Sequence, residues 1–182
     1  MRAFLVCLFI GLAQVIGLAQ AASADVRDVQ LPSIDGGMIE MSDWEGRPVL
    51  VVNTASQCAY TGQYEALQTL YDTYRERGLV VLAVPSDDFR QELDSAEEVR
   101  EFCEMAFGLD MPMTDILTIK GANAHPLYEG FRETAGFVPR WNFNKVLIGA
   151  DGRIVETWGA RTAPMSRPVR SAVEAALAQA ES

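Results

Sequence analysis

The stretch VLVVNTASQCAYTGQYEALQTLY, residues 49–71, passes from an apolar run to an amphipathic one. Its first part is β-branched and almost wholly apolar, which is typical of a strand that is covered on both faces. Its second part repeats apolar residues at three- and four-residue spacing, which predicts a helix. Cys58 lies at the junction. We therefore expect this cysteine beyond the carboxyl end of a central strand, at the edge where open α/β sheets build their sites.

The same two patterns recur along the chain and predict an α/β fold. In chain order we predict a helix through residues 63–78, a strand at 79–86, helices at 95–108 and 125–133, a hairpin at 144–158 that turns at Asp151 and Gly152, and a helix at 166–180. A βαβ half joined to a ββα half is the thioredoxin-like arrangement, with a central mixed sheet flanked by helices. The sequence predicts one such domain over residues 25–182.

Residues 1–24 have the pattern of a secretory signal peptide. A basic start at Arg2 precedes an apolar run, and Ala22-Ser23-Ala24 fits the small-residue cleavage pattern. The run is short and is interrupted by glycine and glutamine, which disfavours a membrane-spanning anchor. We expect cleavage before Asp25, export to the periplasm or outside the cell, and no stable membrane insertion.

Charge and composition exclude several other functions. The formal net charge is −10, and no run of Lys or Arg forms the basic face that nucleic acids require. The single histidine, His125, has no cysteine at metal-ligand spacing, so neither a metal nor another cofactor is predicted. Because His125 precedes Pro126, we expect it at the start of a helix and not as a general base.

Cys58 and Cys103 are the cysteines that remain once the leader is removed. One interpretation is a structural disulfide, since an exported compartment is often oxidising. The other is a reactive thiol at Cys58, where unpaired N–H groups at a helix start would stabilise the thiolate. The chain lacks the C-x-x-C motif of ordinary disulfide oxidoreductases. Position alone leaves both interpretations open.

Several blocks of the chain, from about residue 27 to about residue 178, resemble the glutathione peroxidase family in its cysteine-containing, thioredoxin-dependent form. NTASQCAYTGQYEALQTLY (53–71) is similar to the family segment N-V-A-S-x-C-G-x-T-x-Q-Y-x-x-L, and SAEEVREFCEMAFGLDMPMTDIL (95–117) is similar to the segment E-E-I-x-x-F-C-x-x-x-Y-G-V-x-F-P-M. GANAHPLY (121–128) and WNFNKVLIGADGRIVE (141–156) match two further blocks in the same order.

The resemblance implies a peroxidase with an antioxidant role in the response to oxidative stress. Cys58 matches the cysteine that attacks the O–O bond of a peroxide and becomes a sulfenic acid. Gln91, Trp141 and Asn142 match the other catalytic residues, whose N–H donors can hydrogen-bond the sulfur and the departing oxygen without adding a nucleophile. The implied substrates are hydrogen peroxide and organic or lipid hydroperoxides.

Cys103 matches the resolving cysteine of the family. The resemblance implies that it forms a disulfide with Cys58, which a thioredoxin-like protein or glutathione then reduces. Disulfide formation needs Cα atoms within ~7 Å, so we expect the Cys103 helix to unwind in part. The insert that tetrameric animal members carry before Trp141 is absent, which implies a monomer, or a weak dimer, with an open site.

The segment before Gln91 departs from the family pattern. It is one residue shorter, and it carries Asp87 and Asp88, which would disfavour a nearby thiolate unless they point away. Two other functions are therefore compatible with the sequence: a peroxide sensor or redox relay, and a non-catalytic binding module of thioredoxin fold. A peroxiredoxin is disfavoured because its P-x-x-x-T-x-x-C motif is absent.

Overall fold

A four-stranded mixed sheet forms the centre of the molecule in a computed structural model, which describes residues 25–181. The strands are β1 (Gln30–Pro32), β2 (Met38–Glu40), β3 (Val49–Thr54), β4 (Val80–Pro85), β5 (Lys145–Ile148) and β6 (Ile154–Trp158). The sheet order is β4-β3-β5-β6, with β3 parallel to β4 and antiparallel to β5. The predicted mixed sheet is confirmed. The short ribbon of β1 and β2 was not predicted.

Within residues 25–181, four α-helices flank this sheet: α1 (Gln63–Tyr74), α2 (Ala96–Phe107), α3 (Pro126–Ala135) and α4 (Arg167–Ala180). The predicted helix through residue 78 is wrong in its last turn, which tightens into a 3-10 helix over Arg75–Arg77. Gly78 ends this turn with φ 105, a left-handed conformation that glycine adopts without steric cost.

β3 is buried on both faces, as its apolar run predicts. Leu50 and Val52 contribute to a core shared with α1, α2 and α4, whereas Val49 and Val51 contribute to a second core that holds α3. The molecule is therefore layered helix–sheet–helix. Because β3 lies between β4 and β5, the turn that follows Thr54 is flanked by the segments that adjoin these two strands.

His125 begins α3, as predicted. Its Nδ1 accepts the Leu127 backbone N–H at 3.3 Å, and its Nε2 lies 3.1 Å from the Gln30 carbonyl oxygen. Burial lowers the pKa of His125, which favours the neutral form that can accept this capping bond. His125 is thus a helix cap that also ties α3 to β1.

The predicted signal peptide, residues 1–24, lies outside the described residues. Within residues 25–181, no helix combines the length and the apolar character needed to cross a bilayer. In the same range, no three side chains of His, Cys, Asp or Glu are grouped so as to hold a metal ion.

Candidate active site

Cys58 lies in the turn that follows β3, and its side chain is 7% exposed. The expectation that a helix begins directly after it needs correction, because α1 begins only at Gln63. Thr61 closes the intervening turn: its hydroxyl accepts the Cys58 N–H at 3.1 Å and donates to the Cys58 carbonyl at 2.6 Å. The Cys58 sulfur accepts the Tyr60 backbone N–H at 3.5 Å. The N–H group that hydrogen-bonds the sulfur therefore belongs to the turn and not to α1.

Two hydrogen bonds fasten the Gln91 loop to the residues just before Cys58. The Gln57 N–H donates to the Gln91 carbonyl at 2.9 Å, and the Ser56 N–H donates to Glu92 Oε1 at 2.8 Å. Arg90 has φ 56, a left-handed conformation that turns this shortened loop back toward Cys58. Gln91 is thereby held beside the Cys58 turn in spite of the missing residue.

The two aspartates of this loop are engaged in backbone hydrogen bonds. Asp88 Oδ2 accepts the N–H groups of Ile119 at 2.7 Å and Lys120 at 3.0 Å, while Asp87 Oδ1 accepts the Glu92 N–H at 3.2 Å. Their carboxylates therefore face the loop and the 119–120 segment, where N–H dipoles stabilise them.

Asn142 and Gln91 meet directly. Asn142 is completely buried, and its Nδ2 donates to Gln91 Oε1 at 3.1 Å. Asn53, at the end of β3, fixes the turn that carries Asn142: its Nδ2 donates to the Trp141 carbonyl at 3.0 Å, and its Oδ1 accepts the Asn144 N–H at 3.2 Å. Asn53 thus fixes the Asn142 turn to the end of β3, the strand that leads into the Cys58 turn.

Lys145 is completely buried and joins the start of α1 to the same turn. Its Nζ donates to Gln63 Oε1 at 2.6 Å and to the carbonyl of Phe143 at 2.8 Å. Phe143 has φ 60, so this bond holds a strained backbone position. Burial lowers the pKa of Lys145 to about 7. A neutral amine has two N–H donors, and both find acceptors here.

Trp141 stands at the rim of the site and is 40% exposed. Its ring packs on Phe89 at a centroid distance of 5.4 Å, and Lys120 Nζ lies 4.1 Å from the centroid of Phe89. Among the described residues, none of the side chains of Gln91, Trp141 and Asn142 hydrogen-bonds the Cys58 sulfur directly. The backbone hydrogen bond of Gln91 with Gln57 holds Gln91 at the Cys58 turn, and the side chain of Gln91 in turn holds Asn142. Trp141 lies on the outer side of the site.

Cys103 lies in α2 and is 1% exposed. Burial raises the pKa of its thiol to about 12. Cys58 and Cys103 contribute to the same hydrophobic core, and both are free thiols. A cavity of about 240 Å³, lined by Ile34, Arg100, Glu104 and Met111 among others, borders Cys103.

Sequence reasoning did not identify Thr61, Glu92 or Lys145 as part of the site. Glu92 directly follows Gln91, and Lys145 is the one charged residue of an otherwise apolar strand. The sequence signal for Lys145 was therefore a cation that directly precedes the apolar residues of this strand, because a buried cation needs nearby acceptors. Thr61 gives no comparable signal, because its role depends on the shape of the turn.

Similarity to known proteins extends over most of the described chain. Residues 26–132 match the family model described as glutathione peroxidase. A protein of Lactococcus lactis named glutathione peroxidase is 37% identical over 143 residues, which cover 75% of this chain and 90% of that one. A Synechocystis protein named hydroperoxy fatty acid reductase is 35% identical, with 72% and 85% covered.

Solved structures give the same result for the fold. T. cruzi GPX1 aligns with a TM-score of 0.67 and 30% identity, covering 85% of this chain and 97% of that one. The fold alone is shared with a thiol:disulfide interchange protein of Chlorobium tepidum, at a TM-score of 0.65 and 16% identity over 87% of this chain and 99% of that one. The predicted thioredoxin-like fold is confirmed.

These matches define an oxidoreductase of thioredoxin-like fold, a thiol peroxidase that reduces hydroperoxides. The chain belongs to the glutathione peroxidase family. Membership of this family is consistent with a peroxide as the substrate. It is also consistent with a thiol of the glutathione or thioredoxin type as the electron donor.

Lys145→Met is expected to remove a pH dependence of folding stability. The folded pKa of about 7 lies below the ordinary value of 10.5, so the unfolded chain binds more protons between these values, and stability rises with pH there. From about pH 7 to about pH 9, the free energy of unfolding of the wild type should rise relative to Lys145→Met by about 1.4 kcal/mol per pH unit. Urea denaturation measures this difference.

Lys120→Met is the matched control, because Lys120 is partly exposed. Its free energy of unfolding should keep the pH dependence of the wild type. An identical pH dependence in the wild type and Lys145→Met would show that Lys145 remains charged in the folded protein.

Proposed function

We propose that Cys58 is the peroxide-reactive residue and that Cys103 resolves its oxidised form. The Cys58 thiolate attacks one oxygen of ROOH, the O–O bond breaks, and the alkoxide takes a proton to leave as ROH. Cys58 is then a sulfenic acid. Cys103 displaces its hydroxyl as water and forms the disulfide, which an external dithiol reduces back to two thiols.

The contact of Gln91 with Asn142 carries this proposal. Gln91 uses its oxygen to accept from Asn142. Within the described residues, its Nε2 has no acceptor. This N–H group lies beside the Cys58 turn in a largely buried site. Because it has no internal acceptor, it is suited to hydrogen-bond the oxygen that leaves the peroxide. The exposed indole of Trp141 can supply a second N–H from the rim.

The rim favours organic hydroperoxides as substrates in addition to hydrogen peroxide. Phe89 and Trp141 pack on each other and offer apolar surface beside the site, and Trp141 is 40% exposed. Lys120 places a cation over this surface. An aromatic rim can pack against the alkyl chain of a lipid hydroperoxide, and the Synechocystis relative is named for a fatty acid substrate of this kind.

A dithiol protein of the thioredoxin type is the reductant that best fits a buried resolving cysteine. Cys103 lies on the inner face of α2, so the disulfide requires α2 to open, and this exposes the cysteine to a protein partner. Glutathione is the alternative donor. The absence of the family insert between Gly136 and Trp141 supports a monomer, whose site stays open to such a partner.

The principal test is steady-state consumption of hydrogen peroxide with thioredoxin, thioredoxin reductase and NADPH. Cys58→Ser should abolish turnover, because no nucleophile remains. Cys103→Ser should form the Cys58 sulfenic acid stoichiometrically, as trapped by dimedone and seen by mass spectrometry, but should lose turnover with thioredoxin by about 100-fold or more.

Each alternative has its own outcome in this experiment. Full turnover by Cys103→Ser would contradict the two-cysteine cycle. Sulfenic acid formation without turnover in the wild type would indicate a sensor or relay, and no peroxide-dependent modification of Cys58 would indicate a binding module.

We also propose that the protein is exported, because residues 1–24 combine a basic start, an apolar run and a small-residue cleavage site. The protein purified from the periplasm or the culture medium of its source should begin at or near Asp25. Intact-mass measurement checks this, and a chain that keeps Met1 and fractionates with the cytosol would contradict it.

A further inference from the structure

The Cys58 sulfur lies in a turn over residues 58–61, between β3 and α1. The Thr61 N–H donates to the Cys58 carbonyl at 3.0 Å, which closes this turn. The Tyr60 N–H donates to the Cys58 sulfur at 3.5 Å. A β-turn in which the first side chain accepts the N–H of the third residue normally has Asp, Asn or Ser in the first position. Here a sulfur takes the place of that oxygen.

The two protonation states of a cysteine differ as acceptors in such a turn. A thiolate accepts a charge-assisted hydrogen bond, whereas the sulfur of a thiol is a weak acceptor. The Tyr60 N–H therefore stabilises the ionised form of Cys58 as long as the turn holds this N–H against the sulfur. The first N–H groups of α1 do not replace it, because those of Gln63 and Tyr64 donate to the carbonyls of Tyr60 and Thr61 at 2.8 Å and 3.0 Å.

The Thr61 hydroxyl holds both backbone polar groups of Cys58. It accepts the Cys58 N–H at 3.1 Å and donates to the Cys58 carbonyl at 2.6 Å. The carbonyl oxygens of Ala55 and Ser56 lie 3.1 Å and 3.4 Å from the same hydroxyl oxygen. A hydroxyl has one proton to donate, and the Cys58 carbonyl is the nearest of the three acceptors. One side chain therefore fixes the orientation of Cys58 where β3 ends.

We propose that Thr61 is a positioning residue for the peroxide reaction, since its hydroxyl holds Cys58 so that the Tyr60 N–H points at the sulfur and keeps it ionised. This inference rests on the proposed role of Cys58. Thr61 acts through the backbone of Cys58 and not on the sulfur itself. Without the hydroxyl, the Cys58 N–H has no acceptor, and a largely buried turn rearranges to find one.

Other ionisable side chains pack near the Cys58 turn, and the test leaves all of them in place. They are Tyr60 of the turn itself, Glu92 from the Gln91 loop, Tyr64 from α1, Cys103 from α2 and Lys145, whose amine bonds to Gln63, from β5. A difference between Thr61 variants therefore reports the geometry of the turn and not a change in the charges around it.

The first measurement is the rate at which iodoacetamide alkylates Cys58 in the reduced protein over a range of pH, read at the Cys58 peptide by mass spectrometry. Thr61→Val keeps the shape of the side chain and removes the hydroxyl. The pH of half-maximal rate should rise by about one unit, and the rate below both midpoints should fall about tenfold, because the thiolate loses the Tyr60 N–H. Thr61→Ser restores the hydroxyl and should restore the wild-type profile.

Oxidation by hydrogen peroxide should show the same shift. With dimedone as the trap, the Cys58 sulfenic acid of Thr61→Val should form about tenfold more slowly than in the wild type at a pH below both midpoints. At a pH above both midpoints the two rates should become nearly equal, because both proteins are then ionised. A deficit that stays the same at every pH would overturn the inference.

Thr69→Val is the matched control. Thr69 is an exposed residue of α1 whose hydroxyl donates to the Glu65 carbonyl at 2.7 Å, so the same atoms are lost away from the Cys58 turn. This variant should keep the wild-type profile. The inference would be overturned by an unshifted profile in Thr61→Val, by an equal shift in Thr69→Val, or by a Thr61→Ser variant that behaves like Thr61→Val.

A second variant covers the case in which Thr61→Val does not fold. Thr61→Ala also removes the hydroxyl, without placing a methyl group against the carbonyls that surround it, and should show the same shift. The contact with the sulfur can also be observed in the wild type by NMR. The Tyr60 amide proton should move downfield as Cys58 ionises, and this movement should be absent in Cys58→Ala. A Tyr60 amide that does not titrate would overturn the inference.

The same data separate this inference from the function on which it rests. A wild type whose Cys58 forms no sulfenic acid would contradict the proposed peroxide chemistry, whatever the alkylation profile of Thr61→Val. A wild type that forms the sulfenic acid, with an unshifted profile in Thr61→Val, would contradict only the role of Thr61.

Discussion

The pair of hydrogen bonds between the Cys58 turn and the Gln91 loop is the constraint on which the site depends. Where β3 ends, the N–H groups of Ser56 and Gln57 lose their sheet partners, and they find Glu92 Oε1 and the Gln91 carbonyl in their place. Unpaired buried N–H groups are costly, so these acceptors hold the two segments together with an effect of about 1–3 kcal/mol each. Through this contact, Gln91 stays beside Cys58 although the loop between β4 and Gln91 is shortened.

Positions of the secondary-structure elements followed from the sequence because they depend on local patterns. The apolar run at residues 49–54 and the helical spacing after it are properties of neighbouring residues, and they placed Cys58 at the correct edge of the sheet. The turn between Cys58 and Gln63 was not predictable in the same way, because the Thr61 hydroxyl closes it through contacts that have no sequence signature. The ribbon of β1 and β2, with three residues in each strand, is too short to give a periodic signal.

The composition of the site was less accessible from the sequence than its location. Gln91, Trp141 and Asn142 could be named because the resemblance supplied them, whereas Glu92 and Lys145 act through partners that are distant in the chain. Lys145 bonds to Gln63, 82 residues away, and Glu92 bonds to Ser56, 36 residues away. Asp88 shows that the sequence can also mislead. Its charge was expected to disfavour a nearby thiolate, but its carboxylate accepts the N–H groups of residues 119 and 120, which stabilise it.

A common theme is the placement of ionisable groups in a core that disfavours charge. Burial lowers the pKa of Lys145, raises the pKa of Glu92 and raises the pKa of Cys103, in each case toward the neutral form. The neutral form of Cys103 fits its proposed role, in which the thiol stays unreactive until Cys58 has been oxidised.

The most direct measurement of the central claim is the rate of Cys58 oxidation by hydrogen peroxide in a double-mutant cycle of Gln91→Ala and Asn142→Ala. The rate is followed by stopped-flow tryptophan fluorescence in a background where Trp44 and Trp158 are replaced by Phe, so that Trp141 alone reports. Because Asn142 orients Gln91 through one hydrogen bond, each single variant should slow oxidation by about 10²–10³-fold. The double variant should be little slower than the more impaired single one. Oxidation at the wild-type rate in either single variant, or fully additive losses in the double variant, would contradict the account.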